Sequence, residues 1–280
     1  MAANRLDELA QLAVAGDRRS LERLAAELKD DIYGLAMRML SYPADAEDAT
    51  QDILIKVITH LSQFRGESSF RTWAWSIATR HLMNFRKGSR ESFVSFDLIE
   101  NMIRAGDDAG PDTHDDAEAA ILAEEVKIGC TGAMLVALDR EHRIAYVLAE
   151  IFDLPGSEAA RILSISPATF RKRLQRARDR LTGFLDSVCG LANPDRPCRC
   201  RRQIGVNLAH GVIDPAHLLF ATHPARSSPI AAPRARLREA HEIENAAAIF
   251  RTHPSYAAPD KLEKGIRDLI ASGRYRMFDA

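Results

Sequence analysis

Between residues 64 and 86, five aromatic side chains (Phe64, Phe70, Trp73, Trp75 and Phe85) interleave with four arginines (Arg65, Arg71, Arg80 and Arg86). Unpaired bases stack on aromatic faces while basic groups hold their phosphates, so this mixture suits a single nucleic-acid strand. Extruding a base from a duplex costs on the order of a few kcal/mol, and the base needs a pocket to receive it. The same aromatics also fit a helical core, and Phe70 and Trp73 are read as serving both roles.

A second constellation is basic throughout. Arg171, Lys172, Arg173, Arg176, Arg178 and Arg180 face one acid, Asp179, on a segment that opens with Ser166-Pro167. A helix fits the major groove, where an arginine bonding two acceptors of one guanine is worth about 1–3 kcal/mol of discrimination. Arg171 and Arg173 sit in the first turns, where a recognition helix meets base edges. Arg176 and Arg178 lie further along and are assigned to phosphates, which position a protein without specifying sequence.

The third constellation is Cys189, Cys198 and Cys200, with Asn193-Pro194 and Pro197 folding the chain between them. Cys198 and Cys200 are too close for an easy mutual disulfide, whereas two thiolates at this spacing hold a soft metal such as zinc. His210, His217 or His223 could complete such a site, with His210 the first choice. A redox switch through a Cys189 disulfide and plain reduced thiols remain open beside it. Cys130 reads as an ordinary buried thiol. No Walker loop, nucleophile elbow or HExxH helix occurs, so catalysis is not expected.

These groups need helices to position them. Leu21, Leu24, Ala25 and Leu28 recur at helical spacing, and Ile32, Leu35, Ala36 and Met39 continue the stripe to a break at Pro43. A new helix opens near Asp45 and buries Ala46, Ala49, Ile53 and Val57; Gly66 and Ser68-Ser69 turn the chain into the aromatic helix. From Ser92 to Thr113 the chain is acidic and without sustained periodicity, which reads as a flexible linker. Leu138, Ile144, Leu148 and Ile151 form a further stripe, Pro155-Gly156 turns, and Ser157 is expected to cap the short helix SEAARIL. After a tight turn, Ser166 caps and Pro167 starts the basic helix, with Phe170, Leu174, Ala177 and Leu181 inward. Two short helices around a tight turn, the second basic, make a helix-turn-helix. Late helices are expected over Pro233–Phe250 and Pro259–Phe278.

Two stretches together resemble one family. Residues 45–57 and 64–78 resemble the second region of extracytoplasmic-function (ECF) sigma factors, and residues 163–181 resemble their fourth; the likeness covers roughly residues 5–186. Pro155-Gly156-Ser157 departs from the family's usual Ser-Tyr-Glu-Glu entry to the helix-turn-helix. The resemblance implies an all-α protein with a −10 domain over 5–90, an acidic linker over 91–117 and a −35 domain over 118–186; residues 187–280 lie outside the family's minimal pattern and are expected to be a mostly helical extension that regulates activity in cis, because it adjoins the −35 domain. It implies that Asp48, Gln51 and Asp52 dock on core RNA polymerase. Phe64, Arg65, Phe70, Arg71, Trp73, Arg80, Asn84 and Arg86 would handle the −10 element, with Arg80 and Asn84 nearest the base choice. Thr169, Arg171, Lys172, Arg173, Arg176 and Arg178 would read the −35 element. Core polymerase and promoter DNA are the implied partners, with an anti-sigma factor as a further one. A stand-alone helix-turn-helix regulator is the alternative, but it leaves the aromatic-basic helix without a task.

The 280 residues carry a formal charge of −1 that conceals strong segregation, acidic from 91 to 125 and basic from 171 to 180. That pattern fits a nucleic-acid module tethered beside an acidic segment. No stretch approaches the roughly 20 apolar residues of a membrane span, and the N-terminus has no apolar signal core, so a cytoplasmic location is expected.

Overall fold

The computed structural model describes residues 2–85, 89–108, 115–221 and 241–271. Thirteen α-helices run through them: α1 (Ala2–Val14), α2 (Arg18–Leu40), α3 (Pro43–Thr59), α4 (Phe70–Asn84), α5 (Ser89–Phe93), α6 (Phe96–Asp108), α7 (Asp116–Val136), α8 (Arg140–Tyr146), α9 (Gly156–Ile162), α10 (Pro167–Val188), α11 (Ile204–Ala209), α12 (His241–Arg251) and α13 (Asp260–Ala271). Among the described residues the only strand-like pairing is an isolated parallel bridge between Cys189 and Cys198. The all-α expectation therefore holds.

The chain divides into two compact units. The first gathers the described residues up to 85, then 155–169, then those from Tyr256 onward. Its centre is the predicted stripe of α2, with Leu21, Leu24, Leu28, Ile32, Leu35 and Met39 buried against α3 and α4. Asp17 starts α2 by accepting the Ser20 N–H at 3.1 Å. Ser41, at φ 54°, ends it by donating its N–H to Met37 O. Pro43 does more than break a helix, since it opens α3 at the first position, where its missing N–H is no loss. Arg38 is buried in this unit, donating to Gly34 O at 2.9 Å beneath the ring of Tyr256, 5.0 Å from its centroid. Burial pulls its guanidinium down to about 10.

The last helix belongs to the same unit. α13 lays Leu262, Ile266 and Ile270, spaced four apart, into the groove of α2 and α3. Lys29 pairs with Glu263 at 2.5 Å, Lys261 pairs with Glu47, and Asp30 accepts the Ala258 N–H at 2.9 Å. α9 packs on α4, where Thr72 Oγ1 donates to Glu158 at 3.0 Å.

The second unit holds 89–108, 115–154 and 170–255 among the described residues. Ala119, Leu122 and Val126 of α7 form a core with Ile204 and Ile213. The buried carboxylate of Glu125 accepts three successive backbone N–H groups, from Leu219, Phe220 and Ala221, at 2.6–2.9 Å. Arg178 of α10 and Arg251 of α12 both reach the buried Glu150.

Three expectations are corrected. The stretch read as a flexible linker contains α6, whose Phe96, Ile99 and Ile103 are buried at helical spacing. Gln203 donates to Ile103 O at 3.0 Å and to Asp107 Oδ1 at 3.1 Å, and a Cβ on Gly106 would stand 2.0 Å from Gln203 Oε1. Glu91, counted among solvated linker acids, bonds Arg140 and Arg143 and is about 10% exposed. Ser157 lies inside α9, whose cap is Pro155 with no side-chain bond, so proline geometry rather than a hydroxyl starts that helix. The described parts of the two late helices are α12 and α13; the rest of Pro233–Phe250 and of Pro259–Phe278 lies outside the described residues.

Candidate nucleic-acid interface

α4 is built to hold an aromatic face still. Ser69 accepts the Thr72 N–H at 3.2 Å, and Asp7 of α1 accepts the Phe70 N–H at 2.5 Å, so the helix N-terminus is capped twice. Gly66, at φ 73°, supplies the turn before it. Phe64, Phe70 and Trp73 form a cluster with ring centroids 5.1–5.6 Å apart. Phe70 is the floor of that cluster at 0% exposure, while Phe64 and Trp73 are half-buried.

Trp73 separates two grooves. One, of 520 Å³, lies between the loop Ser62–Ser68 and the Trp73 ring, with Phe64 and Arg65 on its wall. The other, of 760 Å³, runs along Trp73, Ile77, Arg80, His81 and Asn84 to Asp52 and Lys56 of α3. Each has the size of a small-ligand site, with a mixed aromatic and polar lining. Arg80 and Asn84 are exposed one turn apart, and Asn84 donates to Arg80 O at 2.8 Å. Lys56 Nζ donates to His81 Nδ1 at 2.5 Å. Burial first, then Lys56, holds the His81 imidazole below its usual value against the opposing pull of Asp52.

Not every residue assigned to the −10 element reaches this surface. Phe70 is buried and cannot stack a base, and Trp75, an aromatic of the same helix outside that set, is buried too. Arg71 lies over the Trp75 ring, 4.8 Å from its centroid, and pairs with Asp31 at 3.5 Å, so it fastens α4 to α2. Arg86 lies outside the described residues. Phe64, Arg65, Trp73, Arg80 and Asn84 are the set that faces the grooves.

The basic helix starts as the sequence implies. Ser166 Oγ accepts the Thr169 N–H at 3.1 Å, Pro167 is the first residue of α10, and Ser164 turns the chain at φ 54°. Thr169, Arg171, Lys172 and Arg176 are exposed. Arg173 pairs with Glu141 at 2.7 Å. Arg178 is tied to Glu150, so its guanidinium answers a buried carboxylate. Arg180 lies over Phe96, which packs on Phe184.

On α3, Asp48, Gln51 and Asp52 are exposed together at i, i+3 and i+4. A Cβ on Gly265 of α13 would stand 3.8 Å from Gln51 Nε2, so the C-terminal helix borders this face.

The cysteines are arranged differently from the sequence reading. Cys130, Cys189, Cys198 and Cys200 line one cavity of 100 Å³. Burial, reinforced by the neighbouring thiols, pushes Cys198 up to about 12 and Cys200 up to about 11, and raises Cys130 as well. His210 is not in that cavity; it is exposed, and its Nδ1–H donates to Val206 O at 2.9 Å. His217 pairs with Asp214 at 3.0 Å, and His223 lies outside the described residues.

Known proteins resemble both halves of this arrangement. Residues 24–91 match the family described as Sigma-70 region 2, and residues 128–181 match the family described as Sigma-70, region 4. The chain is 27% identical over 183 residues to the RNA polymerase sigma-H factor of Pseudomonas aeruginosa, covering 65% of this chain and 94% of that one. It is 29% identical over 162 residues to the RNA polymerase sigma factor YlaC of Bacillus subtilis, covering 58% and 89%. It is 28% identical over 166 residues to the ECF RNA polymerase sigma-E factor of Escherichia coli, covering 59% and 85%. Region 2 followed by region 4, both helical, defines the sigma-70 class of RNA polymerase sigma factors. Within that class, the chain is similar to extracytoplasmic-function (ECF) sigma factors. Among the described residues no helix is long and apolar enough to cross a membrane.

Proposed function

We propose that this sigma factor divides promoter recognition between two exposed surfaces and that its own C-terminal helix controls access to a third. The exposed set Phe64, Arg65, Trp73, Arg80 and Asn84 takes the −10 element: a melted base enters a groove beside Trp73, its ring stacks there, and the arginines hold the backbone. Thr169, Arg171 and Lys172 in the first turn of α10 meet −35 base edges, and Arg176 meets phosphate. The face of Asp48, Gln51 and Asp52 docks on the polymerase.

The observation that carries the regulatory part is the docking of α13 on α2 and α3. Leu262, Ile266 and Ile270 are buried there, and Lys261 engages Glu47 one residue before Asp48. A polymerase approaching the outer face of α3 meets α13 first. The extension thus acts in cis, as a competitor that must leave before the polymerase-binding face is complete. An anti-sigma partner would act by holding α13 in place or by covering the same face.

The test is run-off transcription with purified core polymerase on a library of promoter sequences. Wild-type protein is compared with the Leu262→Asp/Ile266→Asp double variant, which removes the apolar face of α13 without touching α3. Promoter-specific transcripts that depend on the protein, with a higher yield and tighter polymerase binding for the variant, are expected. Equal yield and equal polymerase affinity would overturn the cis control. Absence of any directed transcript from both forms would bring the stand-alone DNA-binding regulator forward.

A further inference from the structure

Within the first unit, a cleft of 360 Å³ lies between α2 and α13, the size of a small-ligand site. α2 supplies Arg19, Glu22, Arg23 and Lys29 to it, and α13 supplies Glu263, Ile266 and Arg267. Four cations and two carboxylates line it, which leaves a surplus of two positive charges. Ala26, Leu54 and Ile266 give it an apolar floor.

The charges are not engaged alike. Lys29, 15% exposed, is committed to Glu263 at 2.5 Å. Glu263 also accepts from Arg267 at 2.8 Å, and Glu22 pairs with Arg18 at 3.4 Å. Arg19 and Arg23 are exposed, and among the described residues neither is in an ion pair. Arg19 feels the charge of Asp17, whose carboxylate is held by Ser20 instead. The two arginines stand one turn apart on the same face of α2, where like charges repel. Arg267 comes from the other helix and is 62% exposed, and an exposed pair four residues apart such as Arg267–Glu263 adds little stability in water. Its guanidinium is free to turn to a stronger anion.

Solvated arginines on a single helix need no ligand. These three border one cleft from two helices, above an apolar floor, and that combination suits a phosphorylated molecule with a flat ring. The guanidinium fork matches phosphate oxygens in pairs. We propose that the cleft binds one nucleotide carrying two or more phosphoryl groups. Arg19, Arg23 and Arg267 hold the phosphates, the Glu22 carboxylate accepts from ribose hydroxyls, and the base lies on Ala26, Leu54 and Ile266. An inorganic phosphate anion meets the same arginines but leaves the floor bare, so the nucleoside adds affinity.

Because arginines of both helices hold the phosphates, the nucleotide binds the docked arrangement better than any in which α13 has left. Binding therefore shifts the protein toward the docked form. The consequence for transcription, weaker polymerase binding in the presence of nucleotide, rests on the control by α13 proposed above. The binding itself does not.

Full-length protein is titrated calorimetrically with adenosine diphosphate, guanosine diphosphate and pyrophosphate. The expected result is one equivalent of at least one nucleoside diphosphate, bound at least about tenfold more tightly than pyrophosphate because the base covers apolar surface. Arg23→Ala and Arg267→Ala are each expected to weaken binding at least about tenfold, since each removes a charge-assisted contact to phosphate. Arg104→Ala removes an exposed cation on α6 and should leave binding unchanged, which separates the cleft from net charge. The nucleotide should also raise the thermal midpoint and slow proteolysis within residues 256–271. Neither effect is expected for the Leu262→Asp/Ile266→Asp variant, whose α13 has lost its apolar hold. Circular dichroism of each variant separates lost binding from a lost fold, and the wild-type titration stands independently of any variant. The proposal is overturned if neither nucleoside diphosphate binds stoichiometrically, or if pyrophosphate binds as tightly as both, which leaves no place for the nucleoside. It is also overturned if Arg23→Ala and Arg267→Ala fold and bind as wild type does. None of these readouts involves polymerase, so failure here leaves the sigma-factor function and the control by α13 standing. A nucleotide that binds as described without altering polymerase affinity supports the site and counts against that control.

Discussion

At the scale of single residues, the ion pairs decide which basic groups can serve DNA. Arg173 and Arg178 sit in the same helix as Arg171 and Arg176, yet the first two face Glu141 and Glu150 while the latter two are exposed. Arg171→Ala is expected to flatten preference at one −35 position by about 1–3 kcal/mol, read from binding to a panel of single-base variants. Arg176→Ala should weaken binding to every sequence alike and reduce the slope of log K against log salt by about 1. Glu91 shows the opposite use of charge. Burial works to raise its carboxyl, but Arg140 and Arg143 outweigh burial and hold it below its ordinary value of 4.5. Its contribution to stability is therefore complete above pH 4.5 and is lost as pH falls through its depressed value. Glu91→Gln, which leaves two arginines facing a neutral amide, should destabilise the protein by about 3–5 kcal/mol at neutral pH. Thermal melts of the two proteins should converge as the pH drops below that range.

At the scale of elements, α6 is the instructive case. Its acids, Asp97, Glu100, Asp107 and Asp108, dominate the composition and disguise a stripe at Phe96, Ile99 and Ile103. The stripe is only three residues long, and its partners lie far along the chain: Phe184 in α10 and Gln203 beyond it. Periodicity this short is visible only when the surface that receives it is known. Ile103→Ala should cost about 2–5 kcal/mol and expose residues 96–108 to limited proteolysis, with the cleavage sites mapped by mass spectrometry. A linker without structure would show neither effect. By contrast, the start of α10 was readable residue by residue, because a serine cap and a proline at the first position act over four residues and need no distant partner.

At the scale of the molecule, the chain does not lay out its segments one after another. The first unit draws on residues far apart in sequence, with α13 closing on α2 and α3 more than 200 positions away. Burying Leu262, Ile266 and Ile270 contributes roughly 1.5–3 kcal/mol each before conformational entropy is subtracted. Removing residues 256–280 should therefore lower the thermal midpoint and expose an apolar groove, seen as dye binding and self-association. The same truncation is expected to strengthen polymerase binding. Lower stability and higher affinity from one deletion distinguish a covering helix from a merely structural one.

The sequence by itself determined the helical class, the aromatic and basic sets, the caps and turns, and the resemblance to ECF sigma factors, because each of these rests on neighbours within a few turns of one another. The tertiary structure decided which of those residues remain available: Phe70 and Arg71 are taken up in packing, Arg178 in an ion pair, and Phe64, Trp73 and Arg80 are left facing grooves. It also decided what meets over long distances. Cys130, read from the sequence as an ordinary thiol, joins three cysteines some 60–70 positions away, and α13 reaches the face of α3. Contacts of that kind carry no period and no fixed spacing, so only the folded chain, in which burial and excluded volume act on all segments together, brings them into view.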